Sequence, residues 1–305
     1  MTSHPLPKFE TLSPAWTEYE LLDTGSGRKL ERFGPVILIR PEPQANWRPS
    51  LPQKFWDAAH GEFLQPHRTK KGEWKFLQTV PQRWRMRRNH LSFCVEPTPA
   101  GHLGVFPDQA SHWDWLASLV ASAPAPPRVL SLFGHTGLAT LACAAAGAQI
   151  THVDASRKAV KWARENQSLS QLEDRPIRWL VDDAPTFVAR EIRRGRTYDG
   201  LLLDPPRFGR GPRGELWKVE ESLPALLRES RKLLSPALLF VLLNTYTTVL
   251  TRGQTATEAA QLHSFLQEML RNYPVTITSG ELVLTDYAKR QVSNSVYARA
   301  RIHAR

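Results

Sequence analysis

Cysteine is nearly absent from this chain. Of 305 residues only Cys94 and Cys143 are cysteine, and they stand in unlike contexts. That excludes a disulfide framework and supports no zinc site, so no metal is expected, and a reducing cytoplasm is the expected compartment. Long hydrophobic runs are missing too. The longest apolar stretch, Pro236 to Leu243, is far too short to span a bilayer, and the amino terminus MTSHPLPKFE has no apolar core of signal-peptide type. There is no internal repeat. Acidic residues are in deficit, 29 against 40 Lys and Arg, leaving a net charge of +11 and a pI near 9.9. The excess favours an anionic partner such as nucleic acid and says nothing about fold. What is present is otherwise ordinary: 41% hydrophobic and 23% charged residues exclude a disordered chain. The length allows one large or two medium domains with ample core.

One further absence narrows the ligand. Arg128 to Asp154 reads as strand, glycine turn, helix, second strand and carboxylate. Val129 to Leu132 is a short apolar run of buried-strand type, and Gly134 and Gly137 lie where the chain must turn sharply and let backbone approach a ligand. The small residues of Leu138 to Gly147 suit a helix lying close on a sheet, and Gln149 to Val153 gives the next parallel strand. Asp154 follows Gly134 by 20 residues, the separation at which a carboxylate reaches ribose hydroxyls. A dinucleotide fold needs G-x-G-x-x-G to cradle a pyrophosphate; the turn here, FGHTG, has only G-x-x-G. S-adenosylmethionine carries no phosphate and fits the looser turn better.

Residues 1–122 read as a small β-rich domain for binding RNA or positioning substrate. Tyr19 to Leu22, Pro35 to Arg40, Trp74 to Leu77 and Leu91 to Val95 look like short strands, with a turn cluster at Asp23 to Gly27. Seven of the ten tryptophans lie here, most of them expected in the core. Between His67 and His90, eight cations (Arg68, Lys70, Lys71, Lys75, Arg83, Arg85, Arg87, Arg88) face only Glu73, with Trp74, Phe76 and Trp84 interleaved. That combination binds single strands through charge and stacked bases; the competing reading is a solvated charged face. The proline-rich ASAPAPP of Ala121 to Pro127 reads as the linker to a second domain, 123–305.

The second region alternates strand and helix, the pattern of an α/β Rossmann-like sheet. Ser156 is placed to cap a helix, and Ile177 to Val181 is a third strand followed by Asp182 and Asp183. Asp183 suits the adenine amino group; the alternative is an acidic helix start that complements the dipole. Tyr198 to Leu203 is a buried strand ending in Asp204, Pro205 and Pro206, and ligands of such sheets bind at strand carboxyl ends. Two prolines stiffen the loop and remove N–H groups, leaving a carboxylate and bare carbonyls, which suits orienting an exocyclic amine. Phe208 is placed to stack on the base, and Arg207, Arg210, Arg213 and Lys218 to hold phosphates; the alternative is a tight loop with surface arginines. Val275 to Thr285 and Val292 to Ile302 read as a terminal antiparallel hairpin at the sheet edge, a departure from a purely parallel sheet.

The segments LSLFGHTGLATLACAAAGA, THVDASRKAVKWARENQ, VDDAPTFV and LLLDPPRFGRG, in that order, resemble the class I S-adenosylmethionine-dependent methyltransferases. They most resemble the bacterial large-subunit ribosomal RNA methyltransferase group, which includes 5-methylcytosine and guanine-modifying enzymes, over about 104 to 302. The resemblance implies that Phe133, Gly134, Thr136 and Gly137 hold the methionine part. By the same resemblance Asp154 and Ala155 hold ribose, Asp183 reaches adenine, and Asp204 to Pro206 abut the transferable methyl and the substrate. GVFPDQASHW is similar to the group's T-G-x-F-x-D-Q-R motif, which implies that Phe106 and Gln109 approach the cofactor, with Ala110 in the arginine's place. Methylation at carbon 5 of cytosine needs a thiolate after the fifth strand, and here that strand runs LLNTYTTVL without cysteine. The Asn244 to Thr248 tract looks more like the guanine-modifying members. The expectation is therefore an RNA methyltransferase acting on a base nitrogen of guanine type in ribosomal RNA. The alternatives are a 5-methylcytosine-type relative, a small-molecule or protein methyltransferase, and a binding module with a vestigial cofactor site.

Overall fold

A computed structural model describes residues 9–65, 72–246 and 252–303. By packing the chain forms two units, one of residues 1–12, 111–282 and 294–305, the other of residues 13–110 and 283–293.

After β1 (Phe9–Leu12), which belongs to the larger unit, the smaller unit is β-rich as expected. Its main sheet runs β2 (Tyr19–Gly25), β3 (Arg28–Phe33), β4 (Val36–Pro41), β5 (Gly61–Leu64), β6 (Glu73–Phe76), with the short helix α1 (Gln53–Asp57) before β5. A separate antiparallel pair is formed by β7 (Trp84–Arg88) and β8 (Leu91–Val95). Strand β3 carries no hydrophobic alternation because part of its buried face is charged. Glu31 is fully buried and accepts two 2.7 Å bonds from Arg40 and one of 2.9 Å from Tyr19, while Lys29 pairs with Glu42 at 3.2 Å. Asp23, expected in a turn cluster, is instead a buried strand residue that accepts from the Ser50 and Leu51 amides, the Trp56 indole and Arg290. Asp286 accepts from Thr24 and Arg290, so residues 283–293 are held in this unit by buried polar bonds.

In the larger unit the chain continues through α2 (Ala110–Ala121), β9 (Arg128–Leu132), α3 (Leu138–Ala145), β10 (Gln149–Asp154), α4 (Arg157–Leu169), β11 (Ile177–Val181), α5 (Ala184–Arg193) and β12 (Gly200–Leu203). A hairpin of β13 (Phe208–Arg210) and β14 (Leu216–Lys218) follows, then α6 (Val219–Ser230), β15 (Phe240–Tyr246), α7 (Arg252–Met269), β16 (Val275–Thr285) and β17 (Gln291–Ile302). The sheet order is β1-β16-β17-β15-β12-β9-β10-β11, with β9, β10, β11, β12 and β15 mutually parallel where paired. The antiparallel strand of the terminal pair is not at the edge: β17 lies between β15 and β16, and β1 closes that side.

The period of 2 along these strands divides the core in two. Leu130, Leu132, Leu201, Leu203, Val241 and Leu243 pack with Phe187, Leu226 and Leu266 of α5, α6 and α7. Val129, Leu202, Phe240 and Leu242 pack on the other face with Leu116 and Val120 of α2 and Cys143 and Ala144 of α3. Each such buried Leu or Phe stabilises by about 1.5–3 kcal/mol. Because α2 helps cover this second face, the division by packing falls between residues 110 and 111, ahead of the proline-rich linker at 121–127. Among the described residues no helix is long and apolar enough to cross a membrane.

Candidate active site

The carboxyl ends of β9, β10, β11, β12 and β15 lie side by side, and the strand-end residues expected from sequence meet there. Register makes this so: Leu132 pairs with Val153 and Leu203, Asp154 with Val181, and Leu203 with Leu243.

The first turn is held in an unusual backbone. Phe133 and His135 have positive φ (58° and 48°), as does Gly137 (85°). Left-handed backbone at a bulky residue costs on the order of 1 kcal/mol and persists only where surroundings enforce it. Here the Gly134 amide donates to the Val153 carbonyl at 3.1 Å, the His135 amide to Asp154 Oδ2 at 2.9 Å, and Asn166 Nδ2 to the Thr136 carbonyl at 3.0 Å. The two glycines serve the protein's own packing. A Cβ on Gly134 would lie 2.3 Å from the buried His152 ring, and one on Gly137 2.8 Å from Ala163 Cβ. The space a side chain would take at each glycine is thus occupied by neighbouring strand and helix. His152 itself shares a 2.9 Å hydrogen bond with Thr140, and burial pushes its imidazole down to about 3, so it is neutral.

Asp154 ends β10 with each oxygen already taking one backbone N–H, His135 on Oδ2 and Ser156 on Oδ1 at 2.8 Å. Burial raises its carboxyl above the usual value, and these two amides counteract part of that rise. A carboxylate offers about four lone-pair sites, and these two amides take two of them. Ala155, between Asp154 and the helix cap Ser156, is half-buried. Asp183 caps α5, its Oδ2 accepting from the Thr186 amide at 3.0 Å and hydroxyl at 2.9 Å, which is the local role that competed with adenine recognition. Asp182 pairs with Arg190.

Asp204 leaves β12 with its amide 3.5 Å from the Leu132 carbonyl, beside the first turn. Its Oδ1 accepts a 2.7 Å bond from Asn244 Nδ2 at the end of β15. The segment after Pro206, expected as a glycine-containing loop, is a hairpin of β13 and β14. Trp217 in β14 donates from its indole to the Pro206 carbonyl at 2.7 Å, and its ring centroid lies 4.8 Å from that of Phe133. Phe208 is 58% exposed, consistent with an outward ring. Of the four cations expected here, Arg207 pairs with Glu220, Arg213 with Glu215 and Lys218 with Glu221, each at 2.9 Å, so Arg210 alone has no ion pair among the described residues. Sequence reasoning missed Asn244 as a site residue, although its strand-end position carried the same signal as Asp204. It also missed Trp217, for which nothing local points to the site.

Phe106 and Gln109 belong to the smaller unit. Phe106 packs on His102 at 5.5 Å, and Gln109 is buried. Of the RNA-directed residues, Arg68, Lys70 and Lys71 lie outside the described residues. Arg85 and Arg87 stand on the exposed face of β7. Arg83 pairs with Glu96 at 2.9 Å. Arg88 corrects the expectation: it is buried, donating to the Ala15 carbonyl and lying over Trp16. Trp84 is buried as well, its indole donating to the Phe33 carbonyl at 2.9 Å, so it offers no stacking surface. Phe76, 46% exposed and stacked on Trp74 at 6.0 Å, does.

No protein-family model matches the chain. It is 39% identical to a solved S-adenosylmethionine-dependent methyltransferase from Agrobacterium tumefaciens, covering 97% of this chain and 95% of that one with a TM-score of 0.89. A structure from Streptococcus mutans described as an S-adenosylmethionine-dependent methyltransferase shares the fold at a TM-score of 0.68 and 18% identity, over 93% of this chain and 75% of that one. The ribosomal RNA large subunit methyltransferase K/L of Pseudoalteromonas atlantica is 28% identical over 225 residues, 68% of this chain; the chain spans 31% of that relative's length.

Proposed function

The chain belongs to the class I S-adenosylmethionine-dependent methyltransferases, and from its own site we propose that it methylates a base nitrogen, of guanine type, in ribosomal RNA in the cytoplasm. The observation that carries the reading is the Asp204–Asn244 pair beside the first turn. Its carboxylate is an acceptor at the head of a segment in which neither proline offers an N–H donor. An exocyclic or ring N–H group needs such an acceptor.

Asp154, with two acceptor sites left, would hold the ribose of S-adenosylmethionine; Phe133 to Gly137 would hold its methionine part and Asp183 its adenine. When bound, the cofactor supplies an electrophilic methyl group, whose bond to sulfur breaks with its electron pair as the target nitrogen's lone pair forms the N–C bond. Asp204 and the Pro205 carbonyl accept the nitrogen's N–H protons, which turns its lone pair toward the methyl, and the proton released passes to Asp204 or to water. Orientation of this kind is worth several orders of magnitude in rate. Phe208 offers a ring for the target base and Arg210 a cation for phosphate; within the smaller unit, taken by itself, Arg85, Arg87 and Phe76 are exposed groups suited to RNA. The match to a ribosomal RNA methyltransferase supports RNA as substrate. Against carbon-5 chemistry stands Cys143, fully buried with its thiol pushed up to about 12 by burial, the wrong state for a nucleophile.

The test is methyl transfer from labelled S-adenosylmethionine to total RNA from a strain lacking this protein, followed by nucleoside mass spectrometry. Labelled N-methylguanosine is expected. Labelled 5-methylcytidine would overturn the nitrogen target. Transfer that ignores ribonuclease would point to a small-molecule or protein substrate.

A further inference from the structure

A single side chain joins the two halves of this site. Trp217 is 4% exposed, and its indole N–H is the donor on the Pro206 carbonyl at 2.7 Å. Its ring packs against Phe133, tilted by 51°. Both partners are informative. Phe133 begins the first turn in the left-handed conformation that a bulky residue adopts only when held there. Pro206 ends the acceptor loop, and its carbonyl is its one polar group. That carbonyl is engaged by Trp217, so the contact fixes the end of the acceptor loop.

Resting on the methyltransferase reading above, we infer that Trp217 is a positioning residue that sets the spacing between the cofactor turn and the acceptor loop. The hairpin register gives this a second consequence. Phe208 pairs with Lys218 and Arg210 with Leu216, while Gly209 pairs with Trp217. Strand alternation therefore puts Phe208, Arg210, Leu216 and Lys218 on one face and Trp217 on the other. Phe208 and Leu216 are 58% and 53% exposed. An RNA strand that stacks on the outward face presses on the element whose inward face holds Phe133 and Pro206 in place. Substrate docking and donor placement are thereby coupled through one residue.

Two variants separate the contacts. Trp217→Phe keeps a ring against Phe133 and removes the N–H; Trp217→Leu removes the aromatic contact as well. Both are assayed for S-adenosylhomocysteine binding by calorimetry, with stoichiometry near one per chain reporting an intact fold, and for kcat and KM on total RNA. For Trp217→Phe we expect S-adenosylhomocysteine affinity and KM within about 2-fold of wild type and kcat lower by about 10- to 100-fold, as a misplaced acceptor loop entails. For Trp217→Leu we expect affinity to fall by about 5-fold or more as well. Wild-type kcat in Trp217→Phe, or wild-type affinity in Trp217→Leu, overturns the assignment. If the wild-type protein labels no RNA, the substrate reading has failed, and the affinity of Trp217→Leu decides the role of Trp217 by itself.

Discussion

Asn244 Nδ2 donates to Asp204 Oδ1 at 2.7 Å, extending by one residue the register in which Leu203 of β12 faces Leu243 of β15. The amide is buried and steers the carboxylate without competing for the target's protons, because it is a donor at that contact. Asn244→Ala is expected to lower kcat by about 10- to 100-fold with little change in S-adenosylhomocysteine affinity. Asn244→Asp sets two carboxylates together, so one of them binds a proton above the ordinary carboxylate range. Its residual activity should then recover as pH falls, opposite to wild type. pH–rate profiles of Asn244→Asp and wild type check this, and parallel profiles would contradict it.

On the proposed reading Asp154 holds the ribose, and cofactor affinity should depend on pH. Burial raises its carboxyl, so on acidification it takes up a proton sooner than the usual carboxylate at about 4. Ribose hydroxyls donate to the ionised form. Affinity for S-adenosylhomocysteine should therefore be full at neutral pH and decline as pH drops through the raised value. Asp154→Asn should cost about 10- to 100-fold at neutral pH, the worth of hydrogen bonds to a charged acceptor, and flatten the profile. Calorimetry from neutral pH down to about pH 4, the usual carboxylate value, reads both.

The cysteines should be dispensable. Cys143 is fully buried in α3 with its thiol pushed up to about 12, and Cys94 lies in β8 with its sulfur toward the Val95 carbonyl at 3.8 Å. The double variant Cys94→Ala, Cys143→Ala is expected to keep kcat within about 3-fold while losing roughly 1 kcal/mol of stability from the vacated core volume. RNA containing 5-fluorocytosine should form no covalent adduct with the wild-type protein; an adduct lost in the double variant would reverse the argument.

Three arginines of β7 should separate into two behaviours. Arg85 and Arg87 point outward, and replacing both by Ala should weaken RNA binding and reduce the slope of log affinity against log salt by about 2. Arg88→Ala should leave that slope unchanged and lower the melting temperature by a few degrees, since it removes a buried donor to the Ala15 carbonyl and the contact over Trp16. Filter binding across a salt series and thermal unfolding distinguish the two.

Much of the site was legible because its cues are local. A buried strand followed by a carboxylate is a signal a few residues long, and it located Asp154 and Asp204 at the ends of β10 and β12. Asn244 stands at the same kind of strand end in β15, and its tract was legible as a family likeness, but its bond to Asp204 depends on the pairing of β12 with β15. In β7 the charge count of Arg85, Arg87 and Arg88 obscured the alternation. Trp84, Met86 and Arg88 share one face by the period of 2, and that face is the buried one. The missing hydrophobic pattern of β3 has another cause: Lys29 and Glu31 point inward with partners from β4 and the segment after it.

The sequence by itself determined the βαβ frame, the order of its strand-end carboxylates and the lack of a cysteine in the stretch LLNTYTTVL, since each depends on periodicity or composition within one stretch of chain. Only the tertiary structure decided what the glycines of the first turn make room for, which cations are already paired, and that Trp217 reaches both Phe133 and Pro206. Those contacts join residues up to 84 positions apart (from 133 to 217). They come from strand order and hairpin register, which no local pattern encodes.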